Sequence, residues 1–194
     1  LGIEVHGFDG SDRVAGIARE FGAGILIGVG GGKTLDTVKI VANDLDLPYF
    51  IVPTSASSDA PTSSMSVLYT EDGAYLRGIR HKRSAQLVLA DSEIIAKAPV
   101  RLFVAGMGDA LATYYEALAN EQSGGLNFVG PGYRQCKTSM AIATLCRGVL
   151  FEDGRAAKRA VEQGTCTRAV ENVIEANILM SGLGFENAGL ACAH

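Results

Sequence analysis

The 194-residue chain is 47% hydrophobic and 20% charged, with 24 glycines, no tryptophan and a net charge of −4. This length supports one or two domains with a sizeable core, and the composition is that of a Gly- and Ala-rich α/β protein. The acidic balance excludes a general nucleic-acid surface, no apolar run reaches the ~20 residues of a membrane span, and no signal peptide is expected.

The first half alternates strand and helix signals. Ile3 to His6 is strand-like. Ser11 is a good N-cap, after which Val14, Ile17, Ala18 and Phe21 recur at helical spacing until Gly22 and Gly24. Ile25 to Val29 is a continuous apolar run, as expected of a parallel strand buried on both faces. Leu35, Val38, Lys39 and Ala42 mark a second helix ending near Asn43, and Tyr49 to Val52 a further strand stopped by Pro53. This β-α-β-α-β order predicts a parallel sheet with right-handed crossovers. Ser66 to Leu76 then reads as a hairpin around Glu71-Asp72-Gly73, and Leu87 to Ala90 as another strand. From about Pro99 onward strand signals disappear. Helices are predicted over Leu102–Asn120, Cys136–Phe151, Arg155–Gln163 and Ala169–Ser181. The expected organisation is an α/β domain over residues 1–98 and an all-α domain over 99–194. The run Ala188 to Ala193 carries no helix-stop signal, and both ends of the chain read as cut.

Four glycines in five residues follow the apolar run, in I-L-I-G-V-G-G-G-K-T-L-D (Ile25 to Asp36). Backbone N–H groups at such a turn, opening a helix, can close on a phosphate; the same glycines can simply turn a strand into a helix. A P-loop would need its first glycine at Ile27, and a G-x-G-x-x-G fingerprint its third at Lys33, so the loop is neither. The segment Thr54 to Ser66 is almost all small and hydroxylic, and it follows a strand end, where open α/β sheets place ligands. There Thr54 and Ser57 can donate to a dinucleotide and Asp59 can accept from a polyol hydroxyl; a plain turn fits the same residues. Asp109 lies on an apolar helix, so it must be paired, protonated, on a metal, or complementing the helix N-terminus. Neither His6 nor His81 suggests a ligand. The basic run Arg77 to Arg83 reads as a solvated strand or turn. Cys136, Cys146, Cys166 and Cys192 are too scattered for a zinc ribbon or a dense disulfide framework, which points to reduced thiols in a cytoplasm.

Four segments in order, Gly28 to Lys39, Ser55 to Tyr69, Gly106 to Ala117 and Val173 to His194, resemble the glycerol dehydrogenases of the iron-containing alcohol dehydrogenase superfamily. The resemblance implies a Rossmann-like nucleotide-binding α/β domain, a helical domain of dehydroquinate synthase-like architecture, and a divalent metal, usually zinc, between them. It places the pyrophosphate of NAD on Gly31, Gly32, Lys33, Thr34 and Leu35, and further NAD contacts on Thr54, Ser57, Ser63, Met65, Val67 and Tyr69. Asp59 matches the substrate aspartate, which orients glycerol; Asp109 and His194 match two of three Zn2+ ligands and so also border the substrate. The third ligand and the first β-α unit have no counterpart here, so weak metal binding and low activity are expected of these residues alone. The resemblance also implies a cytoplasmic homo-oligomer. Glycerol-1-phosphate dehydrogenase and dehydroquinate synthase use a related sheet, but their anionic substrates call for basic residues that Thr54 to Ser66 lacks. A non-catalytic nucleotide-binding relative is the alternative outside enzymes.

Overall fold

A computed structural model describes residues 10–70, 74–127, 129 and 132–191. The strand expected over Ile3–His6, the hairpin tip at 71–73, Cys192 and His194 lie outside the described residues.

Helix α1 (Gly10–Phe21) turns Val14, Ala15 and Ala18 inward; Ser11 sits inside its first turn rather than capping it. Strand β1 (Leu26–Gly30), helix α2 (Gly32–Asp44) and strand β2 (Tyr49–Pro53) form the anticipated β-α-β unit. β1 pairs parallel with β2, from Leu26 opposite Tyr49 to Gly30 opposite Pro53. The short strand β5 (Leu87–Val88) pairs parallel on the other side of β2, giving the order β1-β2-β5. β1 is not buried on both faces. Successive side chains alternate across a strand, and α2 covers only the face carrying Gly28, so Ile27 and Val29 are each 58% exposed. Strands β3 (Met65–Tyr69) and β4 (Tyr75–Arg80) form a separate antiparallel hairpin, with an irregularity between Leu68 and Tyr69.

After β5 the chain is helical apart from an isolated bridge between Asn127 and Tyr133 among the described residues. Asp91 caps the short helix α3 (Ser92–Ile95) by accepting from the N–H groups of Glu93 and Ile94. Helix α4 (Val100–Ser123) ends at Gly124, in left-handed conformation. Helix α5 (Lys137–Glu162) is one continuous element where two were expected. Gly154, between the two expected spans, is buried where Met107 of α4 packs: a Cβ there would meet the Met107 methyl at 2.6 Å. Helix α6 (Arg168–Glu175), capped by Thr167, passes through a π-helical turn (Ala176–Met180) into helix α7 (Ser181–Ala188). The helical run therefore passes the expected end at Ser181. It stops at Gly189, whose φ of 78° suits a residue without Cβ and whose N–H bonds Phe185 O at 2.8 Å.

Two main apolar clusters result. Leu35, Val38, Ala42, Tyr49 and Ile51 join α2 to the sheet. A larger cluster including Phe103, Ala110, Cys146, Val170, Val173 and Ile178 joins the helices, and it takes in Ile95, Ala96 and Ala56 from the α/β side. Each fully buried large aliphatic or aromatic side chain contributes about 1.5–3 kcal/mol of transfer free energy.

Candidate functional site

Because β1 and β2 run parallel as neighbours, their carboxyl ends open on one edge. The N–H of Thr54, just past β2, donates to the carbonyl of Gly30, the last residue of β1, at 3.0 Å. Gly30 has φ 156°, and a Cβ there would lie 2.9 Å from the Thr34 hydroxyl, so only glycine fits this turn. Gly31 is the N-cap of α2, with no side-chain cap and no acidic residue in the first turn. The N–H groups of Gly32, Lys33 and Thr34 have no intrahelical acceptor and point out of a helix N-terminus, a site that favours an anion. This geometry fits a pyrophosphate. Leu35 is 1% exposed and its side chain belongs to the sheet core, so only its backbone faces the loop.

The other expected cofactor residues follow the same edge. Thr54 and Ser57 are half-buried in the loop after β2. Ser63 is buried, its hydroxyl accepting from Met65 N at 3.1 Å. Met65 and Val67 are half-buried on β3, and Tyr69 is exposed near its end.

The same loop carries Asp59 across to α4. The Asp59 N–H donates to Asp109 Oδ2 at 3.2 Å, and Asp59 Oδ2 accepts from the Ser181 hydroxyl at 3.4 Å. Ser181 is in turn within 3.0 Å of the Thr113 hydroxyl, and Thr113 donates to Asp109 O. Asp109 lies well beyond the first turn of α4, so it does not complement the helix N-terminus. The close approach of loop and helices has visible causes. A Cβ on Gly106, one turn before Asp109, would lie 1.9 Å from Ala56 O; one on Gly182 would lie 2.0 Å from the Thr62 hydroxyl. The π-helical turn aims Asn177 Nδ2 at Ala56 O and Phe103 O, at 3.0 and 3.2 Å, and presents Ile178 O to the Thr62 hydroxyl at 2.5 Å. Glu186 accepts from the N–H of Ser64.

Asp59 and Asp109 thus meet at the seam between loop and helices, the backbone of one against the carboxylate of the other. Their field reaches Cys146 behind them: burial, then Asp59 and Asp109, push its thiol up to about 12. Hard carboxylate oxygens of this kind are ligands that suit a divalent cation. Asp59 and Asp109 are each half-buried, accessible from the edge rather than sealed. Among the described residues no cluster of three or more His, Cys, Asp or Glu donors forms, and the expected partner ligand His194 lies outside them.

Sequence reasoning missed a second polar cluster behind the glycine loop. Lys39, 1% exposed, donates to Asp36 Oδ1 at 3.0 Å and to Met65 O at 2.7 Å. His81, read as part of a solvated basic run, is 8% exposed and 2.8 Å from the Ser66 hydroxyl. That hydroxyl also lies 3.2 Å from Asp36 O, to which it can donate. Burial, then the neighbouring Lys39 charge, lower the His81 pKa to about 4 against the opposing pull of Asp36.

The sequence pattern of the iron-containing alcohol dehydrogenases matches residues 7–99. The chain is 49% identical over 183 residues to a glycerol dehydrogenase of Thermotoga maritima, covering 94% of this chain and 50% of that protein. It is 46% identical to a glycolaldehyde reductase of Halobacterium salinarum, over 96% of this chain and 50% of that one. The structure of a probable glycerol dehydrogenase from Sinorhizobium meliloti superposes with a TM-score of 0.91 at 49% identity, covering 96% of this chain and 52% of the other. The chain therefore spans about half the length of the curated relatives it matches. With the α/β architecture and the glycine-loop site that precede it, this similarity makes the chain a member of the iron-containing alcohol dehydrogenase family.

Proposed function

We propose that this chain carries the dinucleotide loop, the substrate aspartate and two metal ligands of an NAD- and zinc-dependent glycerol dehydrogenase. The observation that supports this most is one loop: it is bonded to Gly30 at Thr54 and reaches Asp109 at Asp59, so an anion-binding helix terminus and a carboxylate pair share an edge. In this reading residues 1–98 hold the nucleotide and 99–194 the metal and substrate.

The N–H groups at the start of α2 hold the pyrophosphate, with Lys33 exposed beside them to add charge. Thr54, Ser57, Ser63, Met65, Val67 and Tyr69 line the rest of the cofactor. Asp109 and His194 hold the cation. Asp59 accepts a hydrogen bond from a hydroxyl of glycerol and orients it, while Ser181 fixes the other side of the carboxylate. When bound, zinc supplies Lewis-acid polarisation of a substrate hydroxyl and NAD supplies the hydride acceptor. Over the whole reaction glycerol loses a hydride from C2 to NAD and a proton from the C2 hydroxyl, leaving dihydroxyacetone. A neutral polyol is favoured over a phosphorylated one because Thr54 to Ser66 offers no lysine or arginine. The glycolaldehyde reductase relative supports a second reading, the same chemistry run toward reduction of a short hydroxyaldehyde. The resemblance extends the reading to a cytoplasmic homo-oligomer.

The test is metal content and glycerol-dependent NAD reduction by the whole protein, with Asp109→Asn as control. Stoichiometric zinc, and activity at least ~100-fold lower in the variant, are expected. A folded protein that binds NAD yet neither retains metal nor oxidises any diol overturns the reading.

A further inference from the structure

The hairpin β3-β4 stands apart from the parallel sheet, and its outer edge is closed by side chains rather than by another strand. Met65 and Val67 are two residues apart, so the carbonyl of one and the N–H of the other point to the same edge. Their side of β3 is not the side paired with β4, where Ser66 faces Ile79. Met65 O accepts from Lys39 Nζ at 2.7 Å, and Val67 N donates to Asp36 Oδ2 at 3.2 Å. The two side chains are joined to each other at 3.0 Å and lie on one face of α2, three residues apart. Ser66 adds a third link, from its hydroxyl to Asp36 O. Lys39 is 1% exposed, deeper than any solvation role allows, and Asn43 bonds its carbonyl at 2.9 Å.

The two ends of this bridge are significant for the cofactor. One end is the helix whose N-terminus, Gly32 to Thr34, presents free N–H groups. The other is the strand carrying Met65, Val67 and Tyr69, which begins just after the loop of Asp59, the residue proposed above to orient the substrate. We propose that the Asp36–Lys39 pair is a positioning device for the dinucleotide, setting the distance between the pyrophosphate loop and the hairpin that flanks the nicotinamide. The inference rests on the NAD reading above. Neither residue touches the cofactor; both act through the backbone of β3.

Such a device has a consequence that a merely structural ion pair lacks. ADP-ribose uses the pyrophosphate loop but has no nicotinamide for the hairpin to flank, whereas NAD+ spans both. In the whole protein, Lys39→Met keeps the unbranched stem, one heavy atom shorter, and removes the charge. Asp36→Asn combined with Lys39→Met leaves no unpaired buried charge, and so remains readable where the single variant fails to fold. Affinities for NAD+ and ADP-ribose are measured by calorimetry alongside circular dichroism, and hydrogen exchange reports the Val67 amide. The expected result is NAD+ bound about tenfold or more weakly, ADP-ribose within about twofold of the parent protein, and faster exchange at Val67. Equal losses for both ligands, or no loss for either, overturn the proposal. A parent protein that binds neither ligand instead overturns the NAD reading itself, so the two failures are distinguishable.

Discussion

Around the sheet, apolar burial is thin and polar groups do much of the joining. Leu35, Val38, Ala42, Tyr49 and Ile51 form the cluster, Ile27 and Val29 stand exposed, and Lys39, Ser66 and His81 are buried beside it in a hydrogen-bonded set. The helical side is the reverse. Its core is broad and rich in small residues, with Ala110, Ala157 and Ala176 fully buried among Phe103, Leu150, Val170 and Val173. The two regions therefore suit different tasks. Small residues let α4, α5 and the π-helical turn approach closely and fix Asp109 on a rigid element. The sheet side instead presents loops and a hairpin whose backbone is held by ion pairs and hydroxyls, leaving N–H groups free for an anion. At the seam the two strategies meet: Gly106 brings α4 against the Ala56 carbonyl and Gly182 admits the Thr62 side chain, while Asp109, Asn177 and Ser181 bond the loop.

The sharpest way to break that seam is Gly106→Ala. The added methyl would sit 1.9 Å from Ala56 O and 2.7 Å from Asn177 Nδ2, and a carbonyl in a loop tied at both ends cannot give way cheaply. Overpacking by one methylene in an ordinary core costs about 1–3 kcal/mol; here the loss should be about 3 kcal/mol or more, read as a lower urea midpoint. The variant should also separate Asp59 from Asp109. Parent-like stability in Gly106→Ala would mean that loop and helix are not in rigid contact.

A second experiment sets the two regions against each other by pH. The folded protein holds His81 neutral down to about 4, whereas an unfolded histidine takes up a proton near 6.5. The unfolded chain thus binds the extra proton throughout that window. The stability His81 contributes is complete above about pH 6.5 and is lost as the pH falls toward 4, by up to about 3 kcal/mol. Burial sets the sign; of the charges that face the ring, Lys39 opposes protonation and Asp36 favours it. Amide protection on α2 and β3 should fall on acidification before that on α4 and α5, and His81→Gln should flatten the dependence. An unchanged slope in that variant would place the acid sensitivity elsewhere.

These two tests also mark where the sequence was readable. The apolar run into a glycine turn at Gly28–Gly32 is a local signal, and so is the hydroxylic loop around Asp59; both specify backbone geometry within a few residues. The pairing of Asp59 with Asp109 depends on contacts fifty residues apart, and local pattern alone left each open to a turn or helix-end reading. Lys39 and His81 were hidden for another reason. A lysine on a helix and a histidine in a basic run have the composition of a solvated surface, and only the packing of β3 on α2 buries them. The split of α5 into two helices erred in the opposite direction: Gly154, between the two expected spans, costs helix propensity but makes room for Met107, so packing of α4 on α5 outweighs the local preference. The burial of β1 on both faces was over-read because a continuous apolar run does not report which neighbours cover it.

The smallest effect belongs to the link between the regions. Asp91 follows β5 and caps the single turn of α3, its Oδ1 accepting from Glu93 N at 2.9 Å and Ile94 N at 3.1 Å. α3 delivers Ile95, fully buried, into the helical cluster, so the cap orients the chain as it leaves the sheet. Asp91→Ala should cost about 1 kcal/mol, the usual value for a lost N-cap, and Asp91→Asn should restore most of it. Since neither Asp59 nor the α2 N-terminus depends on this turn, the NAD affinity proposed above should stay within about twofold. A tenfold change would show that α3 does more than join the two regions, and that the sheet-side site takes part of its shape from the helical core.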